Sequence, residues 1–370
     1  MPTTRAPRAA ARAAARCLTE VLPADALGLV LYQLPLAHDI AAVAPTCHQF
    51  CDAAKLAQKL RPFSGEVVTL VGHTAFVRSV AVTLDGRVVT GSDDRTIKWW
   101  RDEACERTIQ HHHGVLPEYP YADVQLEMLP DGAFLTLQVT SRTATLWTPD
   151  GSLVRTIGVS HLEQHPQRIA VLNGTHFVVG YRADIKLFEM DGTLVRTLKG
   201  HTAHVVSFAV MPDGQRFLSG SDDKHIKVWN VDSETCVSSW HAGSQIYALA
   251  VTPDGKRILS GDLARTVKVW LLDGTLKRTL LGMHTSGVSA LVALPDNQHA
   301  LSGSKDNTVK LFNVNDGAVL RTFAHHGPAR SVFTSKVTCL ALMPDGLRFV
   351  SGAYDGTARI VYHGLAPIRI

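Results

Sequence analysis

The chain lacks any run of about 18 apolar residues, which excludes a membrane-crossing helix. Its amino terminus lacks the apolar stretch of a secretory signal. Cys17, Cys47, Cys51, Cys105, Cys236 and Cys339 contain no C-x-x-C pair and no regular spacing. That argues against a disulfide framework and fits a reduced compartment, cytoplasmic or nuclear. No Gly-rich loop leads from a strand into a helix, so nucleotide binding has no support. No clustered acid pair or metal-ligand set supports a hydrolase or lyase. A basic surplus is missing too. The net charge of +4 is carried by Arg5, Arg8, Arg12 and Arg16, in a stretch without acids; beyond it 33 Lys and Arg balance 33 Asp and Glu. A body of this balance does not suit a nucleic-acid groove.

What the sequence has is a repeat. Gly72-His73-Thr74 runs to Gly91-Ser92-Asp93-Asp94 and on to Ile97-Lys98-Trp99-Trp100. Gly200-His201-Thr202 runs to Gly220-Ser221-Asp222-Asp223 and Ile226-Lys227-Val228-Trp229. Weaker copies end at Trp147, Phe188, Trp270, Phe312 and Val361, which makes seven units of near-constant length. A hairpin-closing pair recurs as Asp85-Gly86, Asp131-Gly132, Asn173-Gly174, Asp213-Gly214, Asp254-Gly255 and Asp345-Gly346, with Asp296-Asn297 in the sixth unit. Short β-branched runs flank these pairs, so each unit holds four strands. One such sheet cannot bury both of its faces; stacking seven radially and closing the ring does.

The repeat length, the four strands and the Gly-His and Trp landmarks resemble the WD-repeat β-propeller over residues 66–370. The expected fold is therefore mainly β, a seven-bladed propeller. Two segments compete to close the ring: Val67-Val68-Thr69-Leu70, the favoured one, and Pro367-Ile368-Arg369-Ile370. In this family a buried network joins a His, a Ser or Thr, an Asp and a Trp within a blade. The matching residues are His73, Thr90, Asp94 and Trp100 in unit one, and His201, Ser219, Asp223 and Trp229 in unit four. The set imitates a Ser/His/Asp triad, but its recurrence in several blades makes it structural. Unit six keeps His284, Ser302 and Asp306; units two and five, with Ser141 and Ala264 at the Asp position, are expected to rely on packing instead.

Residues 17–63 differ in character. Leu22, Leu27, Val30, Leu31 and Leu34 form a stripe at near-helical spacing, Pro23 suits a first helical position, and Pro35 stops the helix. Two further helical segments follow, through Asp39–Val43 and Thr46–Leu60. Leu22-Pro23, Leu34-Pro35, Asp39-Ile40, Cys47 and Phe50 follow the order of an F-box, although Ala24-Asp25-Ala26 and Pro45 depart from its pattern. An F-box before a propeller is similar to the F-box/WD-repeat subunits of cullin–RING ubiquitin ligases. The resemblance implies a non-catalytic substrate-recognition subunit. Leu22, Pro23, Leu27, Leu31, Leu34 and Pro35 would face the Skp adaptor of a ligase that also contains a cullin. The alternatives are a helical cap on the propeller and a WD-repeat scaffold outside any ligase. Residues 1–16 read as a disordered basic leader, with an organelle presequence or a nuclear import element as alternatives.

In the family, partners dock where side chains flank the first apolar residue of each inner strand. Carried over, these are Phe76 and Arg78, His204 and Val206, Gln245 and Tyr247, Gly287 and Ser289, and Lys336 and Thr338. The face implied by Phe76, Arg78, His204, Gln245, Tyr247 and Lys336 suits a protein or peptide, with Arg78 and Lys336 able to meet an acidic or phosphorylated motif. Neither a cofactor nor a metal is expected. His111-His112-His113 and His325-His326 lack neighbouring ligands at useful spacing.

Overall fold

A computed structural model describes residues 67–110, 124–139, 141–159, 166–233, 235–324 and 336–365. The basic leader, the F-box-like segment with Leu22, Pro23, Leu27, Leu31, Leu34 and Pro35, both His runs and the final Pro367–Ile370 stretch lie outside the described residues. Val67–His363 form one compact unit. It contains seven four-stranded antiparallel sheets and, among the described residues, no helix.

Blade one shows the plan: an inner strand Val77–Val82, then Val88–Ser92, Thr96–Arg101 and an outer strand Ala104–Gln110. The inner strands of blades two to seven are Val124–Met128, Pro166–Val171, Val205–Val210, Ile246–Val251, Val288–Ala293 and Val337–Leu342. Contacts between inner strands run cyclically around all seven, from the last back to the first. The outer strand of blade seven is Val68–Val71, from the amino-terminal side, which pairs Val68 with Ile360 and Leu70 with Ala358. Leu70 is 1% exposed. The ring is thus closed by the first strand of the unit, which ties its two chain ends together by hydrogen bonds.

Burial falls from the second strands to the rim. Arg216–Ser221 and Arg257–Asp262 are buried except at their first residue, whereas Ala104–Gln110 is almost wholly exposed. Aromatic and β-branched side chains fill the gaps between sheets: Phe217 and Trp229 stack within a cluster that also holds Val205, with the partly buried Phe208 packed against it. Each fully buried side chain of this size contributes roughly 1.5–3 kcal/mol. The blades approach closely at a glycine of the second strand. A Cβ on Gly220 would lie 2.5 Å from Ile246 Cγ2 of the next blade, and one on Gly352 would lie 2.8 Å from Val77 Cγ1 across the closure. Only a residue without a side chain lets the sheets seat at that distance.

Hydrogen bonds also run from blade to blade around the channel. The Ser79 hydroxyl donates to the Val124 carbonyl at 2.8 Å, Arg168 Nε to the Val206 carbonyl at 2.8 Å, and the Thr338 hydroxyl to the Val77 carbonyl at 2.7 Å. Gln125 donates likewise to the Gln167 carbonyl and Ser289 to that of Val337. Five of the seven blade junctions therefore satisfy an inner-strand carbonyl from the preceding blade, where neither strand has an edge partner of its own.

Candidate functional site

The site begins with a backbone irregularity. In six blades the pairing between inner and second strands slips after the first inner residue, leaving one residue unpaired. The bulged residues are Arg78, Gln167, Val206, Tyr247, Ser289 and Thr338. A bulge bends its strand and re-aims its side chain. Arg78, Tyr247, Ser289 and Thr338 all line a cavity of about 170 Å³ at the channel mouth. Blade two pairs in unbroken register, and Leu137 takes the place of the glycine found in the other second strands.

A second set of side chains comes from the turns between second and third strands. In five blades the residue right after the second strand, third counting from that strand's glycine, donates its N–H to the carbonyl just before the inner strand. The bonds are Asp93 to Phe76 at 3.0 Å, Asp222 to His204 at 2.9 Å, Leu263 to Gln245 at 3.1 Å, Lys305 to Gly287 at 3.0 Å and Tyr354 to Lys336 at 3.0 Å. Each bond fixes the turn residue beside the two residues flanking the strand start. The sequence alone points to the flanking residues and misses Lys305, Tyr354 and the inner-strand Arg168. The residue before the turn aspartate, in Gly303-Ser304-Lys305-Asp306 and Gly352-Ala353-Tyr354-Asp355, is the signal that finds the first two.

The first and seventh blades meet in an aromatic stack. Phe76 lies on Tyr354 with centroids 4.4 Å apart and planes 10° from parallel. The Arg78 guanidinium sits 5.5 Å from the Phe76 centroid and 5.0 Å from that of Tyr354, and Nη1 donates to the Tyr354 hydroxyl at 2.9 Å. Nε and Nη2 of Arg78 grip the Asp93 carboxylate at 2.7–3.0 Å. The Asp93 side chain is fully buried and that of Arg78 is 24% exposed. Within the protein the Arg78 charge meets that of Asp93, a pairing that the fold makes by bringing adjacent strands together.

Lys305 and Lys336, two further cations of the cavity lining, make no ion pair among the described residues. Lys305 Nζ stands 4.3 Å from the Tyr247 centroid, and Lys336 Nζ 5.8 Å from that of Tyr354. Burial lowers the Lys305 pKa, the Lys336 charge adds to the effect, and Asp222 opposes it. His204 is exposed and Gln245 half-buried on the same rim. The Asp222 pKa is raised by burial, against the pull of His204 and Lys305. Deeper in the channel, burial pushes the Glu127 carboxyl up to about 7, with Arg168 acting the other way. Arg168 also lines the mouth cavity.

The Ser/His/Asp sets lie elsewhere, between strands. His201 Nδ1 is 2.8 Å from Asp223 and Nε2 2.7 Å from the Ser219 hydroxyl, which accepts from Trp229 Nε1 at 2.8 Å. In blade one His73 makes the same contacts to Asp94 and Thr90 at 2.7 Å, and Trp100 donates to Thr90 at 2.8 Å. His284, Asp306 and Ser302 repeat the arrangement without an indole. Burial lowers the His201 pKa. The neutral ring then donates from Nδ1 and accepts at Nε2, which satisfies every member. Ser219 is fully buried and beyond the reach of any acyl substrate.

Blades two and five keep more of this network than packing alone. Trp147 donates to Thr136 at 2.9 Å and Trp270 to Ser260 at 2.8 Å. In blade five Ala264 leaves the Asp position empty, and Asp262 two residues earlier binds the Thr266 N–H at 2.8 Å. The hairpin can therefore be tied from a neighbouring position, which a position-by-position comparison overlooks.

Residues 64–101, 192–230, 234–270, 274–313 and 317–361, together over half of the chain, match the WD domain, G-beta repeat. The chain is similar to the serine-threonine kinase receptor-associated protein of Mus musculus, 22% identical over 43% of this chain and 44% of the relative. It is similar to striatin-3 of Homo sapiens, 26% identical over 46% of this chain and 22% of the relative. It is also similar to the nuclear distribution protein PAC1 of Arthroderma otae, 30% identical over 44% of this chain and 37% of the relative. The matches span less than half the length of these curated relatives. With its seven closed blades and its matched repeats, the chain belongs to the WD-repeat family, whose propellers generally serve as non-catalytic scaffolds for protein interaction.

Proposed function

We propose that the protein is an interaction scaffold that captures a protein segment at the channel mouth. The observation that carries this is the convergence of bulged inner-strand residues and turn residues into one surface of aromatic faces and cations. Phe76, Tyr247 and Tyr354 supply rigid apolar area, and Lys305, Lys336 and His204 supply polar contacts around it. Such mixtures favour peptide anchoring, because aromatic side chains lose little rotamer entropy on binding. The test is affinity selection of a displayed random-peptide library on the full chain. Enriched peptides should bind at least tenfold more weakly to a Tyr247→Ala, Tyr354→Ala variant that keeps its melting temperature. Enriched peptides that bind both proteins equally would place capture elsewhere.

A second reading adds an adaptor role, and the order of residues in 17–63 favours it. In this reading the F-box-like segment docks a Skp adaptor through Leu22, Pro23, Leu27, Leu31, Leu34 and Pro35. The propeller then presents its captured protein to a cullin-based ubiquitin ligase, raising the effective concentration of substrate lysines. Titration of purified Skp adaptor should show binding to the full chain and loss of it in a Leu22→Asp, Pro23→Ala variant. No binding by the unaltered chain ends the adaptor reading and leaves the scaffold.

A further inference from the structure

We propose that blade four carries a divalent transition-metal site on its two outermost strands, held by His225 and His241. The site is separate from the capture surface and does not depend on it. His225 opens the third strand, His225–Asn230, and His241 ends the outer strand, Cys236–His241; antiparallel pairing sets the two directly opposite each other. Directly opposed residues project from the same face of a sheet with Cβ atoms about 5 Å apart. The two rings stand with centroids 5.1 Å apart and planes at 74°. Two imidazoles bound to one tetrahedral ion at about 2.0 Å hold their centroids roughly 5 Å apart, and rotation about each metal–nitrogen bond leaves the angle between the rings free.

The donor atoms are prepared for a metal. His225 Nδ1 is 3.0 Å from the Asp223 carbonyl, which can only accept, so in the neutral ring the proton sits on Nδ1 and the lone pair on Nε2. The Asp223 carboxylate lies 3.6 Å from the same nitrogen and accepts the His225 backbone N–H at 2.9 Å. A carbonyl or carboxylate behind the far nitrogen is the usual support of a ligating His, because it fixes ring and tautomer and raises basicity. The His241 ring is exposed and makes no hydrogen bond or ion pair among the described residues. The repeat itself requires no histidine here. The residues matching His225 are Thr96, Thr308 and Thr357 in blades one, six and seven, and each donates its hydroxyl to the turn aspartate. Thr96 faces Gln110 across its sheet. No third His, Cys, Asp or Glu completes a ligand set with the pair among the described residues, so the other coordination positions are open to water. Two imidazoles without a ligating carboxylate select zinc, nickel or copper ions over magnesium and calcium. Lys227 stands on the same face, its ammonium 3.0 Å from the Ser239 hydroxyl; its charge opposes a metal ion and that of Asp223 favours one. Two ligands beside an ammonium hold the affinity well below that of a four-ligand structural site.

Residue-resolved carbethoxylation reads the pair separately from the other histidines. The full chain is treated with diethyl pyrocarbonate at constant pH and rising zinc chloride, and each histidine is followed by peptide mass mapping. The reagent can reach both rings, since the His225 side chain is 39% exposed and His241 is exposed. His225 and His241 should lose reactivity together, at least fivefold and with one half-saturation concentration, while magnesium chloride protects neither. In His241→Gln, a change on the exposed outer strand, protection of His225 should need at least tenfold more zinc. His225→Gln, read at His241, is the reciprocal check, and both variants should melt as the unaltered chain does in metal-free buffer. Equal reactivity of the pair with and without zinc overturns the inference. So does protection of the two at unrelated concentrations, or protection of either that is unchanged when the other is replaced.

Discussion

Replacing Arg78 by Gln isolates the ion pair that Arg78 makes with Asp93 at the channel mouth. The Asp93 side chain is fully buried and takes three contacts from the Arg78 guanidinium. Removing one partner of a buried pair costs about 3–5 kcal/mol, because the other charge is left without compensation. Arg78 is 24% exposed, so water can partly replace it, and about 3 kcal/mol is the appropriate end of that range. A ring of roughly 300 residues unfolds with an entropy of about 2.1 cal/mol/K per residue, so the loss appears as a fall of about 5 °C in Tm. Asp93→Asn in the same chain removes the stranded charge. The double variant should recover much of the loss, with a coupling energy of about 2 kcal/mol. Differential scanning calorimetry of the four proteins at one salt concentration is the assay. A fall of less than 1 °C for Arg78→Gln, or strictly additive losses in the double variant, would refute the pairing as the main use of Arg78.

Four further outcomes follow from the same packing. Gly220→Ala should cost about 2 kcal/mol by forcing a methyl group against Ile246, whereas Gly158→Ala, with open space around its Cβ, should be neutral in urea unfolding. Ser219→Ala leaves both His201 Nε2 and Trp229 Nε1 without a partner and should cost about 1–3 kcal/mol; Ser302→Ala strands only His284 Nε2, since Phe312 stands in the indole position, and should cost less by the same measurement. The His201 pKa lies below its usual 6.5 through burial, so the unfolded chain binds more protons than the folded one below that value. The stabilisation from neutral His201 is complete above pH 6.5 and is lost as the pH falls through it. Asp223 is held low by the Thr202 N–H and His201 against the desolvation of burial, and adds a further loss in the carboxylate range. Tm should therefore decline from pH 7 towards pH 5, and His201→Gln should flatten the upper part of that decline. Leu70→Ala, at the strand that closes the ring, should cost about 3 kcal/mol, read by calorimetry.

The repeat made the fold legible. Seven turn pairs at near-constant spacing force seven sheets, and a sheet that cannot bury itself forces a ring. The His, Ser or Thr, Asp and Trp of blades one and four were also readable, because each lies at a fixed offset within one repeat. The proposed capture surface was less so, and the reason is physical. It joins residues from different blades, such as Arg78 and Tyr354, which are 276 positions apart. Whether a cation there is free depends on its partner across a hairpin, and Asp93 reaches Arg78 only because the inner strand bulges. Arg168 was hidden by the divergence of its blade, which lacks the Gly-His start that anchors blades one and four. Lys305 was overlooked because it sits in a turn whose third residue faces the channel only through a backbone bond to Gly287.

The most direct test of the capture surface is a hydrogen-exchange footprint of the full chain with a selected peptide bound. The scaffold account predicts added protection at the inner-strand starts and the facing turns, around Phe76–Arg78, Gln245–Tyr247, Ser304–Asp306 and Lys336–Thr338. Protection confined to the exposed outer strands, around Leu153 and Val154 or Val319 and Leu320, would contradict it.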